Sequence, residues 1–303
     1  MRVAIAGSGA VTSYFAEELP AAGIDVVILT RSIKPQFENL PGVQQFVTDY
    51  SVTSVLEGIE GSSALISAIL DYTPAFIDVH RRLIEAATKS KTCKRFIPAE
   101  YGGNLEDFPD QPAFYSRLQG VIRAELAAQD DLEWTLLSTG WFVDYVVSAR
   151  NRKLPDAGEA IPVNIAGNSM LIPGTGNEPL DVSAVRDVAR AVAKLLQAPQ
   201  WERYTYISGE KTTWNEIAAL VRTKYPDIKV THLSLNQMID DIIAHPEGEE
   251  RIMAEYGIFS ASHAGSLPAE KVAAHREKYF SGIKFRTGRE LMAEVERDSN
   301  VIV

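Results

Sequence analysis

Along the first half of the chain, short unbroken apolar runs alternate with longer stretches in which apolar residues recur at helical intervals. Val3–Ala6 is wholly apolar and stops at Gly7-Ser8-Gly9, as a strand buried on both faces does. Val11, Tyr14, Phe15 and Leu19 then mark a helix over Val11–Ala22, closing near Pro20 and Gly23. The same alternation continues. Strands are predicted at Asp25–Thr30, Gly42–Val47, Ser63–Leu70, Lys94–Ile97 and Glu133–Leu137. Helices are predicted at Ser51–Glu60 with Ser51 as N-cap, at Thr73–Ser90, and at Pro112–Gln129. Strands apolar throughout, separated by helices, form a parallel sheet covered on both faces. Right-handed crossovers make that a doubly wound α/β sheet of Rossmann type.

Beyond residue 150 the rhythm changes. Asn151–Gly176 is rich in Gly, Pro and Asn, with short β-like pieces at Ile161–Ile165 and Ser169–Ile172. Val182–Leu196 reads as a helix and Tyr204–Ile207 as a strand. Thr213–Lys224, Leu235–Ala244, Glu247–Tyr256 and Pro268–Tyr279 read as helices, and Thr287 caps a last one at Gly288–Arg297. The expected organisation is a dinucleotide-binding Rossmann domain over 1–155 plus about 181–210. A smaller mixed or helical substrate lobe covers 156–180 and 211–303 and shares its core.

The chemistry sits at the strand ends. Gly7-Ser8-Gly9-Ala10-Val11 lies between a strand and a helix, the context of the dinucleotide fingerprint. Gly7 suits the tight turn, Gly9 admits a pyrophosphate, and the helix amides face it. The third glycine is replaced by Thr12. At the end of the second strand, NAD sites place an acid against the ribose; here stand Thr30, Arg31, Ser32 and then Lys34. Two cations and two hydroxyls suit a 2′-phosphate, so the expected cofactor is NADP(H). By position, Asp49 and Tyr50 fall near the adenine, and Ser67, Ala68 and Ile69 beside a ribose. Pro98, Ala99, Glu100 and Tyr101 fall near the nicotinamide, with Glu100 equally readable as a structural carboxylate.

Composition narrows the class. The 303 residues carry 40 acidic and 30 basic side chains, a net charge of −10, and are 46% hydrophobic. That describes a folded globular chain and disfavours a nucleic-acid binder or an anionic membrane surface. One cysteine, Cys93, leaves no intramolecular disulfide, and the five histidines show no metal-ligand spacing, so no metal is expected. The N-terminus runs into a glycine turn too early for a signal segment, and the reading is a cytoplasmic protein.

Lys94-Arg95-Phe96-Ile97-Pro98-Ala99-Glu100-Tyr101-Gly102 resembles the signature of NmrA-like and isoflavone-reductase-like proteins, atypical short-chain dehydrogenases. The opening RVAIAGSGAV, the LTRS turn, EWTLLSTGWFVDY and Asp181–Ala193 fit the same group, over residue 1 to about 220. The resemblance implies an NADP(H)-dependent reductase of secondary metabolism with a pocket between the lobes. Short-chain dehydrogenases use Tyr-x-x-x-Lys; here Tyr115 and Gln119 hold that spacing and the lysine is absent. Tyr115 is then either a proton donor or a packed helix aromatic. Arg117 is a candidate source of charge, and His263 a further acid–base candidate. Tyr101, Gly102, Trp141, Phe142, Tyr145, Tyr256 and Phe259 are the expected substrate contacts, with Asp144 as a polar one.

Three functions follow from this reading. One is reduction of a C=C, C=O or C=N bond in a small aromatic or polyketide-like molecule. Another is a non-catalytic NADP(H) sensor acting on a protein partner. The last is non-redox cyclisation, dehydration or isomerisation in a reductase-like pocket. A homodimer is left open.

Overall fold

The computed structural model describes residues 1–303. Its centre is a parallel sheet built from β1 (Arg2–Ala6), β2 (Asp25–Thr30), β3 (Val43–Val47), β4 (Ala64–Ser67) and β5 (Arg95–Ile97), joined further along the chain by β7. The first crossovers are α1 (Ala10–Ala21), α2 (Val52–Gly58) and α3 (Ala75–Lys89). After β5 come β6 (Tyr101–Gly102), α4 (Phe114–Arg117), α5 (Gln119–Ala127), β7 (Glu133–Trp134), β8 (Leu136–Ser138) and β9 (Trp141–Phe142). The main sheet runs β3-β2-β1-β4-β5-β7, all parallel, so the strand order reverses between β1 and β4. This is the doubly wound Rossmann order, with its crevice at the reversal.

Alternation along each strand divides the core. Val3 and Ile5 of β1 pack with Tyr14 and Phe15 of α1. Ala4 and Ala6 pack on the opposite face with Leu83 of α3 and Ile122 of α5. The first of these cores continues without a break into the remaining elements. These are β10 (Val163–Asn164), β11 (Ser169–Pro173), β12 (Leu180–Ser183), α6 (Val185–Gln197), β13 (Tyr204–Tyr206), β14 (Glu210–Thr212), α7 (Trp214–Arg222) and β15 (Lys229–Leu233). The chain ends with α8 (Leu235–Ala244), α9 (Glu249–Ser260), α10 (Ala269–Lys278) and α11 (Gly288–Arg297). Ile172, Val192, Trp214 and Leu291 belong to the same cluster as Val3, so both halves are held by one core.

Local chemistry explains several boundaries. Ser51 caps α2 by accepting from the Ser54 amide at 3.3 Å. Thr287 caps α11 in a capping box with Glu290.

Elsewhere the structure departs from the apolar pattern. The helix expected over Pro112–Gln129 breaks at Leu118 (φ −120°, ψ −77°) into α4 and α5. The strand expected over Glu133–Leu137 breaks too. β7 pairs with β5, whereas β8 lies between β6 and β13. Val182 and Ser183, expected in a helix, are the end of β12, pairing with Trp141 and Phe142 of β9. Lys229–Leu233, given no element from sequence, pairs with β11. These segments are short, and their partners lie far away in sequence, so periodicity carries little of their signal.

Candidate functional site

The crevice at the β1–β4 reversal opens as a groove of about 360 Å³. Gly7 turns the chain at φ +103°, and a Cβ there would lie 3.0 Å from the Ala68 carbonyl. Its amide donates to Leu29 O and to the Tyr50 hydroxyl, each at 3.1 Å, and Tyr50 in turn donates to Leu29 O at 2.7 Å. Thr12, standing where a third glycine is usual, is fully buried and donates to Gly7 O at 3.0 Å. The threonine closes the loop onto α1.

Gly9 caps α1 with no side-chain cap, and the first turn holds no acid. A Cβ on Gly9 would meet nothing within 4 Å. The open amides of Ala10 and Val11 at a positive helix end, beside free space, suit an anion.

At the tip of β2, Thr30 donates to Ser8 Oγ (3.1 Å) and to Ser32 O (2.9 Å) as alternatives for one proton. Arg31 is exposed, its guanidinium 5.8 Å from the Tyr50 ring centre. Gln45 fixes the Lys34 backbone through two hydrogen bonds of 2.8 and 3.0 Å. Gly7, Ser8, Gly9, Thr30, Arg31, Lys34, Tyr50, Ala68 and Ile69 all line the groove. Asp49 sits differently: it is exposed and accepts from the Ser51 amide at 2.8 Å, which holds its carboxyl below the ordinary range. Ser67 is buried, and its carbonyl accepts from Tyr101 Oη at 2.9 Å.

The end of β5 leads through Pro98 and Ala99 to Glu100, which is buried and paired with Arg123 of α5 (2.6 Å). Burial raises the Glu100 carboxyl against the pull of Arg123, and its Oε1 has no partner. The structural alternative for Glu100 thus has a concrete form, an internal ion pair. Arg123 also lies 5.4 Å from the Tyr115 ring centre.

Tyr115 is buried on α4, and its hydroxyl lies 3.0 Å from the Cβ position that Gly102 leaves empty. The phenol is pushed above its ordinary range by burial, with the nearby Glu100 adding to the shift. Gln119 opens α5 beyond the break, and its buried Oε1 has no partner. The two residues therefore do not share one continuous helix face. Arg117, the expected source of charge, instead pairs with Glu255 at 2.8 Å.

Facing these residues is a wall of rings. Trp141 lies 5.3 Å from Phe259 and 5.8 Å from Tyr256. Tyr256 lies 5.1 Å from Phe114, which lies 5.1 Å from Tyr115. Tyr72 completes the cluster, 5.2 Å from Phe114 and hydrogen-bonded to Tyr256 (2.9 Å). Tyr72 and Phe114 were missed from sequence; an aromatic in the loop after the fourth strand was the available signal for Tyr72. Phe142 is half-buried on the main core, and Tyr145 carries the Arg152 guanidinium on its face at 4.6 Å.

Asp144 is not a pocket contact. It is fully buried, accepts from the Val185 amide at 3.0 Å at the start of α6, and burial pushes its carboxyl up to about 6. The His263 side chain is exposed, on a short turn whose next two residues are buried: Ala264 O accepts from the Asn104 amide at 2.7 Å, and a Cβ on Gly265 would lie 3.5 Å from Trp141 Nε1. No cluster of three or more His, Cys, Asp or Glu side chains forms a metal site, and no helix is long and apolar enough to cross a membrane.

The model of the NmrA-like family matches residues 2–278, and the chain belongs to that family. It is 45% identical over 306 residues to the oxidoreductase swnR of Arthroderma benhamiae, covering 100% of both chains. It is 46% identical over 306 residues to the oxidoreductase swnR of Metarhizium robertsii, again over 100% of both. Among solved structures it is similar to AtPrR2 with NADP+ and (+)-pinoresinol, at 18% identity and a TM-score of 0.72. That match covers 95% of this chain and 96% of that one.

Proposed function

We propose that this chain is an NADPH-dependent reductase of a small aromatic or polyketide-like secondary metabolite. It would act by hydride transfer to a C=C, C=O or C=N bond. One observation carries the cofactor reading: a glycine loop with open helix amides shares its groove with Thr30, Arg31 and Lys34 at the end of β2, where no acid stands. The oxidoreductase names of the full-length relatives and the NADP+ bound by AtPrR2 support it.

A reduced nicotinamide cofactor held in the groove would supply the hydride. The chain's own residues do the rest. Gly7 to Val11 would hold the pyrophosphate, and Arg31 and Lys34 the 2′-phosphate. Tyr101 braces the β4 end through Ser67. The rings from Trp141 to Tyr256, tilted and edge-on to one another, would form an apolar wall against an aromatic substrate.

Tyr115 holds the proton. A phenol raised above its usual pKa by burial stays protonated at neutral pH, so it acts as a donor to the reduced atom rather than as a base. The lysine that would lower such a pKa is replaced by Gln119, which accepts and donates hydrogen bonds without charge.

The test is parallel calorimetric titration of cofactor-free protein with NADPH, NADP+, NADH and NAD+. A panel of carbonyls, enones and imines follows, read at the nicotinamide absorbance. Preferential NADPH binding with turnover on the panel is the expected result. Binding of none of the four forms refutes the proposal.

A further inference from the structure

The loop after β4 faces two ways. Ala68, Ile69, Leu70 and Asp71 line the cofactor groove, and Leu70 is 75% exposed there. Tyr72, the next residue, belongs to the ring wall instead. Its ring stands edge-on to Phe114 (81°) and to Tyr256 of α9 (88°), and the two tyrosine hydroxyls are 2.9 Å apart. The segment between is braced on both sides. Asp71 accepts from the Thr73 amide at 2.7 Å, the Thr73 hydroxyl accepts from the Ala75 amide at 3.3 Å, and Tyr101 holds Ser67 at the base.

On α9 the residue before Tyr256 makes a second tie. The Glu255 side chain is fully buried and accepts from Arg117 and from Arg251, each at 2.8 Å. Arg117 lies two residues from Tyr115 on α4. Two consecutive residues of α9 are thus fastened, one to the cofactor loop and one to the helix carrying the proton donor.

We infer that Tyr72 is a positioning residue: through its hydroxyl pair with Tyr256, a dinucleotide in the groove sets α9 and with it the substrate wall. The inference rests on the cofactor reading of the groove. A ligand packed on Ala68 to Leu70 restricts the loop, and the stiff turn passes that restriction to Tyr72. By linkage, a latched α9 also tightens the cofactor, so cofactor and substrate bind with positive coupling.

Hydrogen exchange on the full chain with and without NADPH tests this. In the wild type, NADPH slows exchange at residues 7–12 and 68–74 and across α9. In Tyr72→Phe, which keeps the ring packing and removes one hydroxyl, slowing persists at residues 7–12 and is lost at α9. Tyr256→Phe gives the same pattern from the other side of the pair. A merely structural contact would instead raise α9 exchange equally with and without NADPH. Undiminished NADPH-dependent slowing of α9 in both variants overturns the inference and leaves the cofactor site standing, as does a wild type protected at residues 7–12 alone. No protection at residues 7–12 overturns both.

Discussion

Arg31→Ala tests the cofactor reading most sharply, because it separates two ligands that differ by one phosphate. Arg31 is exposed at the end of β2 and lies over the Tyr50 face, 5.8 Å from its centre. Removing an exposed side chain outside the core changes stability by about 0.5 kcal/mol or less, so the melting temperature stays near wild type. A hydrogen bond to a charged group contributes about 1.5–3 kcal/mol, and solvent exposure places this contact at the low end. About 1.5 kcal/mol is roughly a tenfold rise in the NADPH dissociation constant. NADH, which has no 2′-phosphate, keeps its affinity. Arg31→Lys falls between, since it retains charge without the planar fork. Calorimetric titration at two ionic strengths gives a second reading. Salt weakens NADPH binding to the wild type more than to Arg31→Ala, because screening acts on the contact the variant has lost. Equal weakening of NADPH and NADH, or no weakening of either, refutes the assignment of Arg31 to the phosphate.

The two loop glycines should fail in different ways. Gly9→Val keeps the wild-type melting temperature, since its Cβ meets open space, and loses NADPH binding in the same titration; Gly7→Ala melts earlier, from a strained φ of +103° and a Cβ 3.0 Å from a carbonyl. Tyr115→Phe retains NADPH binding and lowers turnover on an active panel substrate by about 10²–10⁴-fold, the range of a lost general acid, read as kcat. His80, stacked on Phe76 at 3.9 Å and buried, has its imidazole pushed down from 6.5 to about 4 by burial, so the folded chain favours the neutral form. Its contribution is complete above pH 6.5 and is lost as pH falls toward 4, a loss of roughly 3 kcal/mol at 1.36 kcal/mol per pH unit; urea midpoints across that window fall less steeply in His80→Phe, and parallel curves would refute the assignment.

What the sequence disclosed depends on how far apart the interacting residues are. The nucleotide half was readable because its signals are local. Largely apolar strands, a glycine turn and a capping serine each report on neighbours within a few residues. The replacement of the third glycine by Thr12 was visible, but its consequence was not. The hydroxyl closes on Gly7 O only because the loop turns back over the first turn of α1.

The substrate side was less readable, since its contacts join residues far apart in the chain. The Tyr72–Tyr256 pair spans 184 positions, and Glu100 finds Arg123 only when α5 folds back over the β5 end. The helix break at Leu118 has the same origin. The apolar pattern from Pro112 to Gln129 runs on through it, and the break is set by how α4 packs. Tyr115 must bring its hydroxyl against Gly102, where any side chain would block it, while Gly120 passes close to the Tyr115 carbonyl. Those glycines were the legible trace of the geometry, because a residue without Cβ marks a close approach before the approaching group is known. The break also bears on chemistry. A Tyr-x-x-x-Lys pair works from one helix face, so placing lysine at 119 would not by itself restore the usual dyad here. Gln119→Lys should therefore leave the pH dependence of turnover unchanged, and an activity limb shifted to lower pH would show that the two positions meet after all.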